Sequence, residues 1–346
     1  MRVSDFDFKL PPKLLAEYPA EKRDASKLMV VNRKTGKIEH RFFYDIHEYF
    51  DKDDLLIRNN TKVKPVRYLA RKEHLKGAQL EVLLIKYLSG SLYEAYIDPL
   101  KKVKEGSIIL FGEGFLRAEI VKITDQRYVH LRFVAPIAIT EQEALLRLLG
   151  KMPIPRYIKR KPEALDQERY QTVFAKEESA LAAPTSALHF TQKLFDKIEN
   201  KGTQIYDLSL EIGLGTFNPV YAENIMDHQM HHETFTIPQA TASCINKHKR
   251  ANKRVIALGT TSIRATESAY KNGCVQSGIF STNIFIYPPY EFKVADALIT
   301  NFHTPRSTLL MLVSAFGGYD LIMKAYQKAI ENNYRFYSYG DAMMIV

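Results

Sequence analysis

The feature that most constrains the fold is a change of pattern near residues 61 and 150. Between them the chain carries short runs rich in Val, Ile, Leu, Tyr and Phe, separated by glycines, at 79–88, 92–97, 107–111, 116–123 and 128–134. Several runs alternate apolar and polar residues, as half-buried strands do. We predict an all-β unit, and a barrel in particular, because closure leaves no exposed edge.

Outside this segment helical and strand patterns alternate. Helices are predicted at 190–202, 239–253, 260–273 and 319–334, and strands at 204–213, 254–259 and 295–302. Alternation of this kind indicates a largely parallel sheet covered by helices, with ligands beyond the carboxyl ends of the strands. The predicted fold is therefore an α/β domain, residues 1–60 and 151–346, with an inserted β-barrel domain, residues 61–150.

Composition narrows the class of protein. The 346 residues are 46% hydrophobic, enough for a sizeable core. No apolar stretch approaches the roughly 18 to 20 residues of a membrane span, and the charged N-terminus does not resemble a signal peptide. The two cysteines, Cys244 and Cys274, form no CxxC pair or disulfide framework. We therefore expect a cytoplasmic protein with no membrane partner.

The net charge of +10 favours a polyanionic partner, because each neutralised phosphate releases counterions. Many basic proteins bind no nucleic acid, so the charge alone leaves this open. Basic residues cluster at the start of the predicted barrel and in RYIKRK. By charge alone, we expect phosphate contacts from Arg58, Lys62, Lys64, Arg67, Arg156, Lys159 and Arg160. The alternative is an ordinary solvated face.

The stretch AAPTSALHF, residues 182–190, begins with residues that have small side chains and then carries one titratable ring, His189. The structural alternative is a tight turn with a satisfied core histidine. The functional alternative is a backbone that lies close to a ligand beside a proton carrier, with Thr185 in that backbone.

Two segments in the α/β part have the spacing of phosphate- or carboxylate-binding turns. EIGLGTF holds Gly213, Gly215 and Thr216 after a strand, without the third glycine of a dinucleotide fingerprint. IALGTTSIRATE opens a helix at Thr260 and Thr261, with Arg264 one turn later, where free N–H groups and the helix dipole favour an anion. A plain turn and simple capping are the alternatives.

DHQMHHE packs His228, His231, His232 and Glu233 into one short segment with Asp227. The spacing does not match HExxH, and the cysteines lie elsewhere. Proton transfer or ligand binding by one or two of the histidines is favoured over a metal site.

FKVADALITNFHTPRST places Lys293, Asp296, Asn301 and His303 around one predicted strand. Such groups are costly to bury unless they are paired, so an ion pair or a site must account for them. Near the C-terminus, SYGDAMMI adds Asp341.

Taken together, these segments resemble the S-adenosylmethionine:tRNA ribosyltransferase-isomerase family of queuosine biosynthesis (QueA). The similarity covers essentially the whole chain, from SDFDFKLPPKLLAEYPAEKRDASKL to YRFYSYGDAMMI. Between them stand NNTKVKPVR, GKMPIPRYI, YQTVFA, AAPTSALHF, GTFNPV, DHQMHHE, VIALGTTSIRATES, TNIFIYP and FKVADALITNFHTPRSTLLMLVSAF. One such motif would be weak evidence, but this many in order are highly specific.

The resemblance implies a fold, a large α/β domain with an inserted β-barrel, and a reaction. S-adenosylmethionine, a co-substrate rather than a prosthetic group, donates its ribosyl moiety to 7-aminomethyl-7-deazaguanine at the tRNA wobble position. The ribose is rearranged to an epoxycyclopentanediol, which gives epoxyqueuosine, and adenine and methionine leave. The implied tRNAs carry GUN anticodons (Asp, Asn, His and Tyr), and we expect a monomer without a metal.

This chemistry needs a base to remove an acidic C5′ proton beside the sulfonium. It also needs an acid to assist the departure of adenine. Histidine suits both tasks. We assign them to His189 and His303, supported by Asp296 and Lys293. Donor or substrate binding is assigned to Thr185, Gly213, Gly215, Thr216, His228, His231, Glu233, Thr260, Thr261, Arg264, Asn301 and Asp341.

Some positions depart from the family pattern. The family form of the first motif resembles AAPTAGLHF, whereas this chain has Ser186 and Ala187. Glu211 and Pro289 also differ from the usual residues. If the family backbone needs the positive φ that glycine allows, the loop here must shift. Two rivals remain open: an ordinary methyltransferase, whose glycine-rich turn is missing here, and an RNA-binding protein that has lost turnover.

Overall fold

The structure is a computed structural model, and it describes residues 1–73, 79–124, 128–134, 139–155, 157–213, 220 and 222–346. The chain divides into two compact units. One comprises Met1–Lys62, Pro155–Arg160 and Arg169–Val346, and the other comprises Val63–Ile154 and Lys161–Glu168. We call them the α/β unit and the barrel unit.

The strands and helices are numbered in chain order. The strands are β1 (Lys27–Val31), β2 (Ile38–Phe42), β3 (Leu55–Asn59), β4 (Thr61–Val63), β5 (Arg67–Lys72), β6 (Gln79–Ser89), β7 (Leu92–Asp98), β8 (Ile108–Phe111), β9 (Leu116–Ile123), β10 (Tyr128–Phe133), β11 (Glu177–Ala180), β12 (Gln204–Leu210), β13 (Glu233–Ile237), β14 (Val255–Leu258), β15 (Tyr270–Lys271), β16 (Cys274–Val275), β17 (Gly278–Thr282), β18 (Ala297–Asn301) and β19 (Ala342–Ile345). The α-helices are α1 (Ile139–Leu149), α2 (Ala164–Arg169), α3 (Gln192–Asn200), α4 (Gln239–Arg250), α5 (Thr260–Ala269), α6 (Thr308–Gly317) and α7 (Tyr319–Glu331).

In the barrel unit, strands β5 to β10 close into an antiparallel barrel in the order β10-β7-β6-β5-β8-β9. The predicted barrel is therefore confirmed. Two elements were missed. Strand β5 buries Tyr68 and Ala70 and turns its basic residues outward, so its charge obscured the alternation. Helix α1 follows the last barrel strand and adds Leu146 to the barrel core.

In the α/β unit, nine of the described strands form one sheet in the order β17-β13-β12-β3-β14-β18-β19-β1-β2. The expectation of a largely parallel sheet is wrong. The sheet is mixed: the central strands β12, β3, β14 and β18 run parallel to one another, β19 runs antiparallel to β18, and β1 runs parallel to β19. Two helices, α6 and α7, join β18 to β19, and sequence alternation does not show the direction in which the chain returns.

The central strands are buried on both faces, which explains their continuous apolar runs. Successive residues of β18 enter opposite cores: Ala297 and Ile299 pack beside α3, and Leu298 packs with α6 and α7. Among the described residues, no single helix has the length and apolarity needed to cross a bilayer. The pair α6 and α7 meets that criterion together, with a bend of 115° between them.

The turn from β14 into α5 requires a glycine. Gly259 has φ +92°, a conformation that side chains rarely adopt. A Cβ atom there would lie 2.9 Å from Ser186 Oγ and 3.4 Å from Thr261 Oγ1. Both the positive φ and the short distance to Ser186 therefore disfavour any side chain at this position.

We expect Gly259→Ala to lower the free energy of unfolding by about 1–3 kcal/mol, because it adds both backbone strain and a close contact. Gly273→Ala is a matched control, since Gly273 also has positive φ but has no atom within 4 Å of its missing Cβ. Urea unfolding of both variants checks the difference. Equal losses would show that the contact with Ser186 contributes nothing.

Candidate active site

The carboxyl edge of the parallel strands in the α/β unit collects the polar groups of several motifs. Strand β18 ends there with Asn301, and β14 ends there before Gly259. Because β19 is antiparallel to β18, with Asn301 opposite Ala342, the start of β19 lies at the same edge. Segments distant in sequence therefore meet at this edge.

His189 lies in this cluster with both ring nitrogens hydrogen bonded. It ends the short 3₁₀ helix Thr185–His189 and is only 5% exposed. Its Nε2 lies 3.1 Å from Asn301 Oδ1, and its Nδ1 lies 2.7 Å from Ser26 Oγ. The Asn301 amide donates its hydrogens to the carbonyls of Tyr337 and Ser338, so its oxygen faces the ring. This assigns the proton of the neutral ring to Nε2, and the Ser26 hydroxyl donates to Nδ1.

The electrostatic surroundings keep His189 neutral. Its pKa is lowered to about 4, mainly by burial; the Asn301 hydrogen bond opposes the shift, whereas three guanidinium groups add to it. These groups belong to Arg335, Arg169 and Arg23, which line a small cavity with His189. A ring so placed reaches a bound substrate through Ser26 or Asn301 rather than directly.

His303 has a more open position. It is half-buried in the loop between β18 and α6, and its Nε2 lies 2.9 Å from Thr300 Oγ1. Its backbone N–H donates to Tyr326 Oη. Within the described ranges, its Nδ1 has no hydrogen-bond partner. Burial lowers the pKa of His303 to about 3, so the ring is neutral at pH 7 and can accept a proton.

Two adjacent clefts open beside His303. The Tyr337 cleft is lined by Tyr157, Thr185, Asn301, Phe302, His303, Thr304, Ser307, Leu309, Tyr337 and Ser338. The Thr260 cleft is lined by Ala183, Pro184, Thr185, Ser186, Ile212, Gly259, Thr260, Thr261, Thr300, Asn301, His303 and Leu309. The two clefts adjoin, since Thr185, Asn301, His303 and Leu309 line both.

The first turn of α5 and a buried ion pair lie next to the Thr260 cleft. Arg264 Nη1 contacts Glu233 Oε2, and Glu233 Oε1 accepts a bond from the Gly213 N–H. Arg264 is 3% exposed, and its Nε and Nη2 have no partner in the described part of the chain. The Thr261 hydroxyl is also buried without a partner there. Unpaired buried donors are costly, so this end of the site is suited to an anionic or hydroxyl-bearing ligand.

Other predicted residues lie away from this cluster. Asp296 and Lys293 precede β18 and therefore lie at its amino end. Asp296 binds Lys249 Nζ at 2.9 Å, and Lys293 Nζ binds Glu291 at 2.6 Å. The structure does not bring either of them beside His303.

Asp341 and the histidine-rich segment have separate positions. Asp341 accepts bonds from the backbone N–H groups of Lys27 and Arg335, which fixes the start of β19. His228 is half-buried with its ring against Phe285. Its pKa is lowered by burial and by His231, which is exposed. No group of three or more metal-binding side chains occurs among the described residues.

Three predicted residues, Gly215, Thr216 and Arg156, lie outside the described residues. Of the other predicted tRNA contacts, Arg58 binds Asp207 at 2.5 Å and its guanidinium lies 4.1 Å from the centre of the Phe174 ring. Arg67 donates to the Ile154 carbonyl, Arg160 donates to the Glu17 carbonyl, and Lys62 pairs with Glu178. Lys64 and Lys159 are exposed and have no ion pair among the described residues. The phosphate contacts of all these residues stay predictions.

The sequence patterns did not indicate Ser26, Tyr157, Tyr337 or Ser338. These residues lie in the family-like motifs, but short polar and aromatic residues in loops show no periodicity. Only the fold places them near His189 and Asn301. The arginines around His189 were missed for the same reason.

The family model for the queuosine biosynthesis protein matches residues 3–345. The chain belongs to this family. It is 47% identical over 350 residues to S-adenosylmethionine:tRNA ribosyltransferase-isomerase from Flavobacterium psychrophilum, and the match covers all of both chains. It is also 47% identical over 349 residues, with the same coverage, to the protein of that name from Symbiobacterium thermophilum. The resemblance predicted from the motifs is confirmed.

A solved structure agrees with the fold. The crystal structure of S-adenosylmethionine tRNA ribosyltransferase from Thermotoga maritima is 35% identical in sequence, with a TM-score of 0.56. The match covers 99% of this chain and 100% of the other. The predicted fold class, an α/β domain with a β-barrel, is therefore confirmed.

The state of His189 gives a prediction on stability. Its folded pKa is about 4 and the unfolded value is about 6.5, so between these values only the unfolded state gains the proton. The stability from neutral His189 is fully present above about pH 6.5 and is lost as the pH falls towards 4. The loss is at most about 3 kcal/mol.

Thermal unfolding of wild type and His189→Asn between about pH 7 and pH 4 tests this, because the variant lacks the titrating ring. We expect the wild-type midpoint to fall more steeply than that of the variant. His47→Asn is the control, since His47 lies on the 3₁₀ helix Phe43–Tyr49, where its ring bonds to the Tyr44 carbonyl. Parallel curves for wild type and His189→Asn would contradict the prediction.

Proposed function

We propose that this chain transfers the ribosyl moiety of S-adenosylmethionine to 7-aminomethyl-7-deazaguanine at the wobble position of tRNA and isomerises it. The products are epoxyqueuosine in the tRNA, free adenine and methionine. The observation that carries the proposal is that Asn301 and His303 line two adjacent clefts, with His189 hydrogen bonded to Asn301, in a chain of this family. Its full-length relatives are named for this activity.

His303 is our first candidate for proton transfer. It lines both clefts, and burial keeps its ring neutral, so the ring has a lone pair that can accept a proton. In this role it would take a proton from C5′ and give one to departing adenine. His189, with both nitrogens occupied, is the second candidate, and it also orients Asn301. Asp296 and Lys293 keep only an indirect supporting role, since they lie at the other end of β18.

The donor's charged end would lie at the Thr260 cleft. The unpaired N–H groups of Arg264 and the first turn of α5 favour the methionine carboxylate, and the hydroxyls of Thr260 and Thr261 suit the ribose. Gly213 contributes through its bond to Glu233, and we include Gly215 and Thr216 from the sequence. His228, His231, Asp341 and Thr185 remain predicted binding residues, with Thr185 in both clefts.

The partner we propose is tRNA with a GUN anticodon. We also propose that the chain acts in the cytoplasm as a monomer without a prosthetic group. A wobble base in an anticodon loop is single-stranded, so it can be turned out into a pocket at modest energetic cost. The exposed Lys64 and Lys159 are the strongest candidates for phosphate contacts.

A product assay tests the activity. The protein is incubated with S-adenosylmethionine and tRNA that carries the aminomethyl-deazaguanine base, and adenine and the modified nucleoside are measured. Adenine with epoxyqueuosine supports the proposal. Release of S-adenosylhomocysteine would select a methyltransferase, and binding without any product would select an RNA-binding protein that has lost turnover.

We expect His303→Ala to reduce the rate of adenine release by about 100-fold or more, the usual effect of removing a general acid or base. The rate is measured at saturating donor and tRNA. The control is His47→Ala, which removes a ring outside both clefts. A loss below a few-fold, with an unchanged unfolding midpoint, would remove His303 from the mechanism.

We expect Lys64→Ala and Lys159→Ala each to weaken tRNA binding and to reduce the slope of log affinity against log salt concentration by about 1. Binding is measured by fluorescence anisotropy over a series of salt concentrations. Lys34→Ala is the control because Lys34 is equally exposed but lies in a turn after β1. A slope equal to that of wild type would show that the lysine contacts no phosphate.

A further inference from the structure

Tyr337 has a backbone conformation that is unusual for its residue type. Its φ is +75°, in the left-handed region that bulky side chains rarely adopt. Elsewhere the described chain fills such positions mostly with glycine or with Asn252, Asn272 and Asn333, which tolerate them. An asparagine or glycine would make the same turn without strain, so the turn alone does not explain a tyrosine.

The surrounding structure holds Tyr337 in place on both sides. Its N–H donates to the Phe302 carbonyl at 3.0 Å, and its carbonyl accepts from Asn301 Nδ2 at 3.0 Å. The segment then winds back closely, because a Cβ on Gly340 would lie 2.4 Å from the Arg335 carbonyl oxygen. Backbone strain that the neighbouring residues hold in place in this way is typical of functional sites.

The strained backbone places an aromatic ring on the wall of the Tyr337 cleft. The Tyr157 ring lies next to it, with the ring centres 4.1 Å apart and the planes inclined by 37°. Tyr157 is anchored in turn, since its Oη accepts the Ser338 N–H at 3.0 Å. Both rings are only partly buried, and they line the cleft that also contains His303.

We propose that Tyr337, supported by Tyr157, is a stacking wall for a purine-type ring in the Tyr337 cleft. A planar base gains both apolar contact and π-stacking on such a ring. Under the proposed function, on which this inference rests, the ring has two sources: the adenine of S-adenosylmethionine or the deazaguanine turned out of the tRNA. In either case the base would lie beside His303.

Three variants of Tyr337 separate stacking from folding. Tyr337→Phe keeps the ring, Tyr337→Leu removes it at similar backbone strain, and Tyr337→Gly removes both the ring and the strain. Tyr44→Leu is the control, since Tyr44 is an exposed aromatic ring stacked on Phe42 outside the clefts. Dissociation constants are measured for S-adenosylmethionine by calorimetry and for tRNA carrying the aminomethyl-deazaguanine base by anisotropy.

We expect Tyr337→Leu and Tyr337→Gly to raise the dissociation constant of one of the two ligands about tenfold or more. Tyr337→Phe and Tyr44→Leu should bind both ligands like wild type. Weaker binding of S-adenosylmethionine assigns the wall to adenine, and weaker binding of tRNA assigns it to the target base. Tyr337→Gly should unfold at a temperature no lower than that of Tyr337→Leu, so its binding loss cannot come from unfolding.

Unchanged affinity of both ligands for Tyr337→Leu and Tyr337→Gly would overturn the stacking proposal while leaving the proposed function intact. A wild-type protein that binds neither ligand would overturn both. A wild-type protein that binds both ligands but releases no adenine would contradict the proposed activity, and the affinities of the variants would still decide whether Tyr337 stacks.

Discussion

The site depends on the side-chain amide of Asn301. Its Nδ2 donates to the carbonyls of Tyr337 and Ser338 at 3.0 and 3.2 Å, and its Oδ1 faces His189 Nε2 at 3.1 Å. Asn301 is 2% exposed, so water cannot replace these bonds, and the loss of any partner would leave a buried polar group unpaired. The sheet fixes Asn301 as the last residue of β18, opposite Ala342. One strand register therefore sets the position of a histidine, a strained tyrosine and the start of β19.

The residues at the two ends of β18 have different roles. Those at the amino end hold neighbouring elements together, and those at the carboxyl end lie beside the clefts. At its amino end Asp296 binds Lys249 and the Val255 N–H, which ties α4 and β14 to the strand. At its carboxyl end the side chains of Asn301 and His303, an amide and a neutral ring, line the clefts. The strand has five residues, so these ends are about 16 Å apart. A carboxylate at such a distance cannot exchange protons with His303, whereas it can hold the strand that carries Asn301.

The elements that the sequence predicted have local patterns, whereas strands β1, β2, β13, β17 and β19 of the nine-stranded sheet were not predicted. The barrel strands alternate, α3 begins at the Thr191 cap, and α5 begins after Gly259. What it could not predict depends on contacts between distant segments. The direction of β19 reverses the expected parallel sheet, and the basic face of β5 hides a strand. Asp296 and His303 are close in sequence, but an extended strand separates them. Ser26 reaches His189, and Tyr337 reaches Asn301, only after the sheet has formed.

The two departures from the family motif AAPTAGLHF, Ser186 and Ala187, fit the backbone of this chain. Ala187 lies within a 3₁₀ helix at an ordinary negative φ, and its methyl group is buried in the core beside α3. The position therefore does not use the freedom that glycine has, and the loop need not shift. Ser186 lies against Gly259, where the turn into α5 leaves room for its hydroxyl because the glycine has no side chain. The strain in this site is at Tyr337 instead, in a motif where the chain keeps the family pattern. Backbone geometry therefore gives no reason for these two substitutions to have abolished turnover.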